Sequence, residues 1–237
     1  MKKLYKRQEF KSCTTCGSRA DSIFCDLNQS GLQELETIQQ KLKYPGGTIL
    51  FLEGERPRGV YCVCSGRIKL SIHAADGRAV TVGYASNGYI VGTRAVLSGN
   101  PHDITARTVE ESQLSFMDRE RFLSFLKRRG EVSFRLSEAL GDELSESYED
   151  IKNIALGSSY ERLVSVLLRL CDKFGEPSSE GILIKLNLSQ EELAEMACMS
   201  RRTLSRAVQR LKKVRIIKCD RRVMIIRDRN SLAKLLS

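Results

Sequence analysis

The period of the hydrophobic positions changes along the chain, and each change marks an element boundary. From Tyr44 to about Met117, short β-rich runs are punctuated at Gly46-Gly47, Gly54, Gly66, Asp76-Gly77 and Asn87-Gly88. Turns spaced so regularly predict a compact antiparallel barrel or roll. TILFLE, VYCVCSG, RIKLSIHA and RAVTVGYA are its clearest strands. Asp76-Gly77, between the last two, is a hairpin turn, because Gly supplies the positive φ such turns need. Past Asp118 the β signal stops and a long helical stretch begins, broken near Gly130. In its second part Leu136, Leu140, Leu144, Ile151 and Ala155 recur every three or four residues, while Glu138, Asp142, Glu146 and Glu149 fall mostly on other faces. A long exposed helix with one narrow apolar seam needs a partner helix. The expected partner is a second copy of the chain; packing against the roll would produce a similar pattern. Gly157 to Ser159 reads as a hinge, Tyr160 to Phe174 as a helix and Gly175 to Gly181 as a loop.

From Leu188 to Ile217 the helical period returns twice with a tight turn between. Ser189 caps the first helix, Glu192 completes a capping box, and Leu193 and Ala197 share one face. The turn is Cys198-Met199-Ser200, with Ser200 as the second cap. Leu204, Val208 and Leu211 give the second helix a buried side. Its other side shows Arg201, Arg202, Ser205, Arg206 and Gln209, with Ser200, Thr203 and Arg210 beside them. The start of such a helix enters the major groove of DNA, where Arg donates two hydrogen bonds to guanine O6 and N7. Two β-type runs follow, Val214 to Lys218 and Arg222 to Arg227, around a Cys219-Asp220-Arg221 turn, the hairpin of a winged helix. Between Arg201 and Arg229 twelve Lys/Arg stand against two acids, Asp220 and Asp228. A charge run alone marks a solvated face, but here it coincides with a capped helix pair and a hairpin, which points to phosphate contact.

The predicted layout is α+β: an N-terminal cysteine-containing segment over 1–28, an antiparallel β-roll over 29–118, a short helix and a dimerisation helix over 119–156, and a winged helix-turn-helix over 157–237. A net charge of +10 over 237 residues favours an anionic partner. Membrane is the competing anion, yet there is no run of about eighteen apolar residues and no continuous basic amphipathic helix. MKKLYKRQEFK begins like the basic region of a signal peptide but is followed by KSCTTCGSRADS, not an apolar core, so a soluble cytoplasmic protein is expected. In that compartment eight cysteines point to metal, cluster or redox use before disulfides.

A β-roll, a long dimer helix and a C-terminal winged helix, in that order, resemble the Crp/Fnr family of bacterial transcription regulators. The resemblance runs from about Leu32 to Arg227 and is carried by GGTILFLEGE, VYCVCSGRIKL, GYIVG and LSQEELAEMACMSRRTLSRAVQRL in sequence order. It implies a jelly-roll domain of the cyclic-nucleotide-binding type. The implied partners are double-stranded DNA and a second copy of the chain, with RNA polymerase as a further candidate. The family's recognition helix usually reads S-R-E-T-x-x-R, matched here by Ser200, Arg201, Thr203 and Arg206, with Arg202 in place of Glu. Glu accepts from cytosine N4 whereas Arg only donates, so the family's common operator does not carry over. Cys198 stands where the family often has Gly, which suggests an altered turn. The cyclic-nucleotide branch holds ribose and phosphate with Gly-Glu and Arg-Ser; this chain has Gly92-Thr93 and, at about the second place, His102-Asp103. That makes cAMP or cGMP an unexpected ligand, and His102 by itself reads as a surface histidine.

Cys13, Cys16 and Cys25 form a C-x2-C-x8-C set ahead of the roll. It looks like the Fnr branch, which holds a [4Fe-4S] cluster through three N-terminal cysteines and a fourth farther along. C-x2-C lets two thiolates converge on one centre, and four complete a cluster or a zinc site. Aligned on the strand that carries the fourth cysteine, ESQLSFMD has Ser115, a poorer ligand. Cys62 and Cys64 share one strand face, and the resemblance puts their strand near that of Ser115. Cys64, or else Cys62, is therefore the expected fourth ligand, against the plain reading of both as small apolar strand residues. Cys171, Cys198 and Cys219 read as structural. Zinc or a reversible disulfide is the alternative to a cluster. No nucleotide-binding glycine loop and no zinc-protease motif is present, and His73 and His102 are the two histidines, so an enzyme is not expected.

Overall fold

The computed structural model describes residues 22–76, 79–184, 188–220 and 223–236. Cys13, Cys16, the Gly77 of the predicted hairpin turn, and the Arg221 and Arg222 of the wing lie outside the described residues. The chain divides into two compact units, residues 1–143 and 144–237.

In the first unit, Asn28 caps helix α1 (Gln29–Ile38) by accepting from the Gly31 N–H. Strands β1 (Gln39–Tyr44), β2 (Ile49–Phe51), β3 (Gly59–Ser65), β4 (Ile68–His73), β5 (Ala79–Ala85), β6 (Ile90–Val91), β7 (Thr105–Thr108) and β8 (Ser112–Asp118) then form two antiparallel sheets, ordered β1-β8-β3-β6 and β2-β7-β4-β5. Alternation along the strands gives two cores. Val63, Leu114, Phe51, Ile68, Leu70 and Ala106 gather in one. Val60, Cys62 and Met117, on the other face, meet Phe24, Leu27, Leu32 and Leu35 together with Phe122 and Phe125. Gly66 is fixed by geometry: its φ is +93°, and a Cβ there would stand 2.3 Å from the Ser112 hydroxyl. Helix α2 (Thr93–Ser98) follows β6. The Asp118 carboxylate caps α3 (Arg119–Arg128), accepting from the Glu120 and Arg121 N–H groups.

Helix α4 (Gly130–Leu156) begins at the predicted break. Its apolar positions do not form one seam. Leu136 is buried with Val132 in the roll's core, and Leu140 packs half-buried against it, so Leu136 does not belong to an exposed interface. Leu144 and Ile151 are exposed, as expected, and are joined by Phe134 and Tyr148. The 3.6-residue period turns the first part of α4 onto the roll and leaves a neighbouring stripe open.

The second unit contains α5 (Ser159–Phe174), β9 (Gly175–Ser178), β10 (Gly181–Ile184), α6 (Gln190–Met196), α7 (Arg201–Lys213), β11 (Ile217–Asp220), β12 (Val223–Ile226) and α8 (Arg229–Ala233). Its sheet runs β9-β10-β12-β11. Gly175 to Gly181 is thus no loop: GEPS pairs with β10 as an edge strand, where Pro costs no ladder bond. The wing's first strand starts at Ile217, not Val214, because Val214 and Arg215 close α7.

Candidate nucleic-acid interface and thiol site

The helix pair is built by local chemistry. The Ser189 hydroxyl accepts from the Glu192 N–H at 3.1 Å, and the Glu192 carboxylate accepts from the Ser189 N–H at 2.9 Å, a complete capping box. The helix ends when Cys198 takes φ +47°: its N–H donates to the Glu195 carbonyl and that of Met199 to the Ala194 carbonyl. This is the Schellman pattern with cysteine in the left-handed position glycine prefers. The backbone thus makes the turn that Gly would make, and the substitution is absorbed as strain at one residue. Ser200 caps α7, accepting from the Thr203 N–H at 3.2 Å. Arg215, at φ +58°, closes α7 in the same way, with Ile216 donating to Leu211 and Arg215 to Lys212.

Leu193, Ala194, Ala197, Leu204, Ala207 and Leu211 are buried, and Val208 is half-buried. Arg201, Arg202, Ser205, Arg206, Gln209 and Arg210 are exposed, with Thr203 half-buried. Arg201, Arg202 and Arg206 make no hydrogen bond or ion pair with the described residues. Other members of the charge run are engaged. The Arg210 guanidinium lies over the Tyr160 ring at 4.6 Å. Lys218 and Arg227 approach Glu180 at 2.8 and 3.8 Å, and the Lys218 ammonium holds that carboxyl below its ordinary range. Arg229 pairs with Asp172, and Lys212 donates to the Cys219 carbonyl.

Arg162 of α5 was not legible from the sequence. Its Nε donates to the Ala197 carbonyl, Nη2 to that of Cys198 and Nη1 to that of Gly157, at 3.0, 3.2 and 3.0 Å. One guanidinium thereby satisfies carbonyls at the end of α6 and seats the turn. The partners stand 35 and 36 residues away, so no local pattern announces them.

In the roll, Gly92 adopts φ +95° at the start of α2 and Thr93 is buried. His102 is not a surface residue: it is 4% exposed and its ring stacks on Phe51 with centroids 3.7 Å apart, so burial lowers its pKa. Arg94 pairs with Asp103 at 3.2 Å, and the Tyr89 hydroxyl donates to Glu143 of α4. The cavity these residues line with Ile90 and Leu70 measures about 30 Å³, against roughly 300–1,000 Å³ for small-molecule sites.

Among the described thiols, Cys62 is buried, Cys25 and Cys64 are half-buried, and Cys62 lies directly opposite Ser115 in the β3–β8 ladder. No three His, Cys, Asp or Glu side chains among the described residues are grouped to hold a metal ion. Cys171 is buried, which pushes its thiol up to about 11, and Cys219 is half-buried; Cys198 is exposed.

Three exposed guanidiniums with no partner among the described residues, at the leading end of a capped helix, suit the groove of a nucleic-acid duplex, and the class of protein is a DNA-binding helix-turn-helix regulator. Residues 41–129 match the family described as a cyclic nucleotide-binding domain, and residues 161–235 match the Crp-like helix-turn-helix domain. The chain belongs to the Crp/Fnr family of DNA-binding transcription regulators, whose members are dimeric. It is 26% identical over 212 residues to the CRP-like cAMP-activated global transcriptional regulator of Mycobacterium tuberculosis, covering 90% of this chain and 95% of that one. It is 28% identical over 203 residues to the anaerobic regulatory protein of Bacillus subtilis, covering 85% of each. A CooA variant from Carboxydothermus hydrogenoformans shares the fold, with a TM-score of 0.74 at 21% identity over 95% of this chain and 97% of that one. No helix of the described residues is long and apolar enough to cross a membrane.

Proposed function

We propose that this regulator senses oxygen, nitric oxide or redox state through a cysteine-ligated iron–sulfur centre, of the kind the Fnr branch carries, and couples it to DNA affinity along α4. The observation that carries the reading is the C-x2-C-x8-C set of Cys13, Cys16 and Cys25 immediately ahead of the roll. The roll itself argues against a nucleotide signal. Its cavity of about 30 Å³ is lined by His102 and the Arg94–Asp103 pair, and Thr93 stands where a ribose-binding carboxylate is needed. The name of the Bacillus subtilis relative agrees with an oxygen-linked role, whereas the cAMP activation in the name of the Mycobacterium tuberculosis relative meets, among the described residues, a roll cavity of about 30 Å³.

Cys13, Cys16 and Cys25 supply soft donors in sequence, of which Cys25 is half-buried, and Cys62 is a buried thiol opposite Ser115; among the described residues no three such side chains are grouped to hold a metal ion. Such a centre, when bound, supplies an oxidant-labile link between segments. The chain's own residues do the rest. Tyr89 at the roll's cavity holds Glu143, and Glu143 lies on α4. Dimerisation uses the exposed stripe Phe134, Ser137, Gly141, Leu144, Tyr148, Ile151 and Ala155, spaced three and four residues apart as helix pairing requires. Assembly of the centre then acts as a ligand that favours one arrangement of the dimer. Arg201, Arg202 and Arg206 read base edges, with Ser200, Thr203, Ser205, Gln209 and Arg210 in support.

Visible absorption with iron, sulfide and zinc analysis, on protein purified without oxygen and then exposed to air, tests the sensor. A brown protein that bleaches is expected; a colourless one with zinc overturns the cluster in favour of a zinc site. For the reading head, Arg206→Ala is expected to weaken specific binding by about 1–3 kcal/mol, and selection from random duplexes should exchange guanine for cytosine at one position in Arg202→Glu. Equal weakening on every sequence would make both arginines phosphate contacts.

A further inference from the structure

The last turns of α4 and the length of α5 are joined like the rungs of a ladder. Glu146, Asp150 and Asn153, spaced four and three residues apart, share one face of α4. They meet Lys173 at 2.6 Å, Arg169 at 2.6 Å and Ser165 at 3.0 Å, which recur every four residues along α5 in the opposite sense. The next step of the same series is the bond from Arg162 Nη1 to the Gly157 carbonyl at 3.0 Å. The exposed ion pairs each contribute little to stability, but together the rungs fix the register of the two helices. Arg162 goes further than the other rungs, because Nε and Nη2 reach the Ala197 and Cys198 carbonyls in the turn ahead of α7. A guanidinium carries five donors in a fixed planar fork, so three backbone segments are held in one geometry. The start of α5 that carries it is itself fixed by a capping box between Ser158 and Glu161, and Tyr160 lies under the Arg210 guanidinium farther along α7.

We propose that Arg162 is the positioning residue of the reading head: it ties the end of α4 to the start of α7 and so sets the spacing of the two half-sites that the dimer reads. The spacing rests on α4 being the dimer helix, as read above; the hold on the turn does not. Dimers of this class read half-sites roughly 34–36 Å apart, and each added base pair shifts a half-site by about 3.4 Å. A recognition helix able to tilt at Cys198 would accept several spacings, whereas one tied to α4 accepts one. Arg162 acts through backbone carbonyls and not on DNA. Lysine keeps the charge but lacks the fork, so it cannot hold the three carbonyls together.

The test takes the operator that the full chain selects from random duplexes and compares it with copies whose spacer is lengthened or shortened by one or two base pairs. Wild type should bind the altered spacers about tenfold or more weakly, since two pairs displace a half-site by roughly 7 Å. Arg162→Ala should bind the selected operator about tenfold less tightly, through loss of charge-assisted bonds, and should discriminate among spacers by less than about threefold. Far-UV circular dichroism and sedimentation read the fold and the dimer of each variant. The salt dependence of binding should not change, because Arg162 contacts no phosphate. A folded, dimeric Arg162→Ala with wild-type discrimination among spacers overturns the proposal, whether or not its affinity falls. A salt slope reduced by about 1 also overturns it and makes Arg162 a phosphate contact. If Arg162→Ala does not fold, Arg162→Lys is read by the same criteria. Leu144→Asp with Ile151→Asp tests the dimer helix separately: a dimer surviving those changes overturns that reading of α4, while relaxed spacing in Arg162→Ala still supports the hold on the turn.

Discussion

Cys198 holds the left-handed conformation that lets α6 hand over to α7, and it does so at φ +47° with a side chain that conformation disfavours. The left-handed penalty for a residue with a Cβ is roughly 1–2 kcal/mol, part of which glycine loses again to chain entropy. Cys198→Gly is therefore expected to raise stability by about 0.5–1 kcal/mol, read as a higher urea midpoint with an unchanged slope and unchanged DNA affinity. A lower midpoint would mean that the thiol makes a compensating contact. The caps on either side were legible because they are local. Ser189 with Glu192, and Ser200 with Thr203, satisfy N–H groups within three residues. Arg162 and Ser115 were not, because what defines each is a partner, or the lack of one, on a distant strand or turn.

Helix α4 distributes one amphipathic sequence over three surfaces. Val132 and Leu136 enter the roll's core; Glu146, Asp150 and Asn153 meet Lys173, Arg169 and Ser165 of α5; Leu144, Tyr148 and Ile151 remain exposed. Leu144→Asp with Ile151→Asp should yield a folded monomer with an unaltered far-UV spectrum, measured by sedimentation. Leu136→Asp should instead unfold the roll, because it buries an unpaired carboxylate. A dimer surviving the first pair of changes would place the interface elsewhere. The period of the helix was readable from its leucines, but three- and four-residue spacings fit adjacent stripes equally, so Leu136 and Leu144 fell into a single predicted seam. The β9–β10 hairpin escaped for a different reason: GEPS has no alternating apolar residues and forms a strand only because β10 offers it an edge.

Across the whole molecule, one titratable group is buried inside the roll: His102, stacked on Phe51. Burial disfavours the imidazolium, so the folded chain binds this proton less readily than the unfolded one. The resulting contribution to stability is present above about pH 6.5 and is lost as the pH falls below it. Lowering the pH from about 6.5 to 5 should depress the unfolding midpoint more in wild type than in His102→Gln; equal losses would remove His102 as the cause. The sequence by itself determined the order of the parts, the two caps of the reading head, the basic character of the C-terminal unit and the presence of an unfinished thiol set, because each follows from residues close together in the chain. Tertiary structure alone decided that Leu136 is core, that His102 is buried against Phe51, that Arg162 ties down the turn between α6 and α7, and that Cys62 faces an unsatisfied Ser115. Burial and long-range pairing are properties of neighbours brought together by folding, and periodicity along the chain cannot say which neighbours those are.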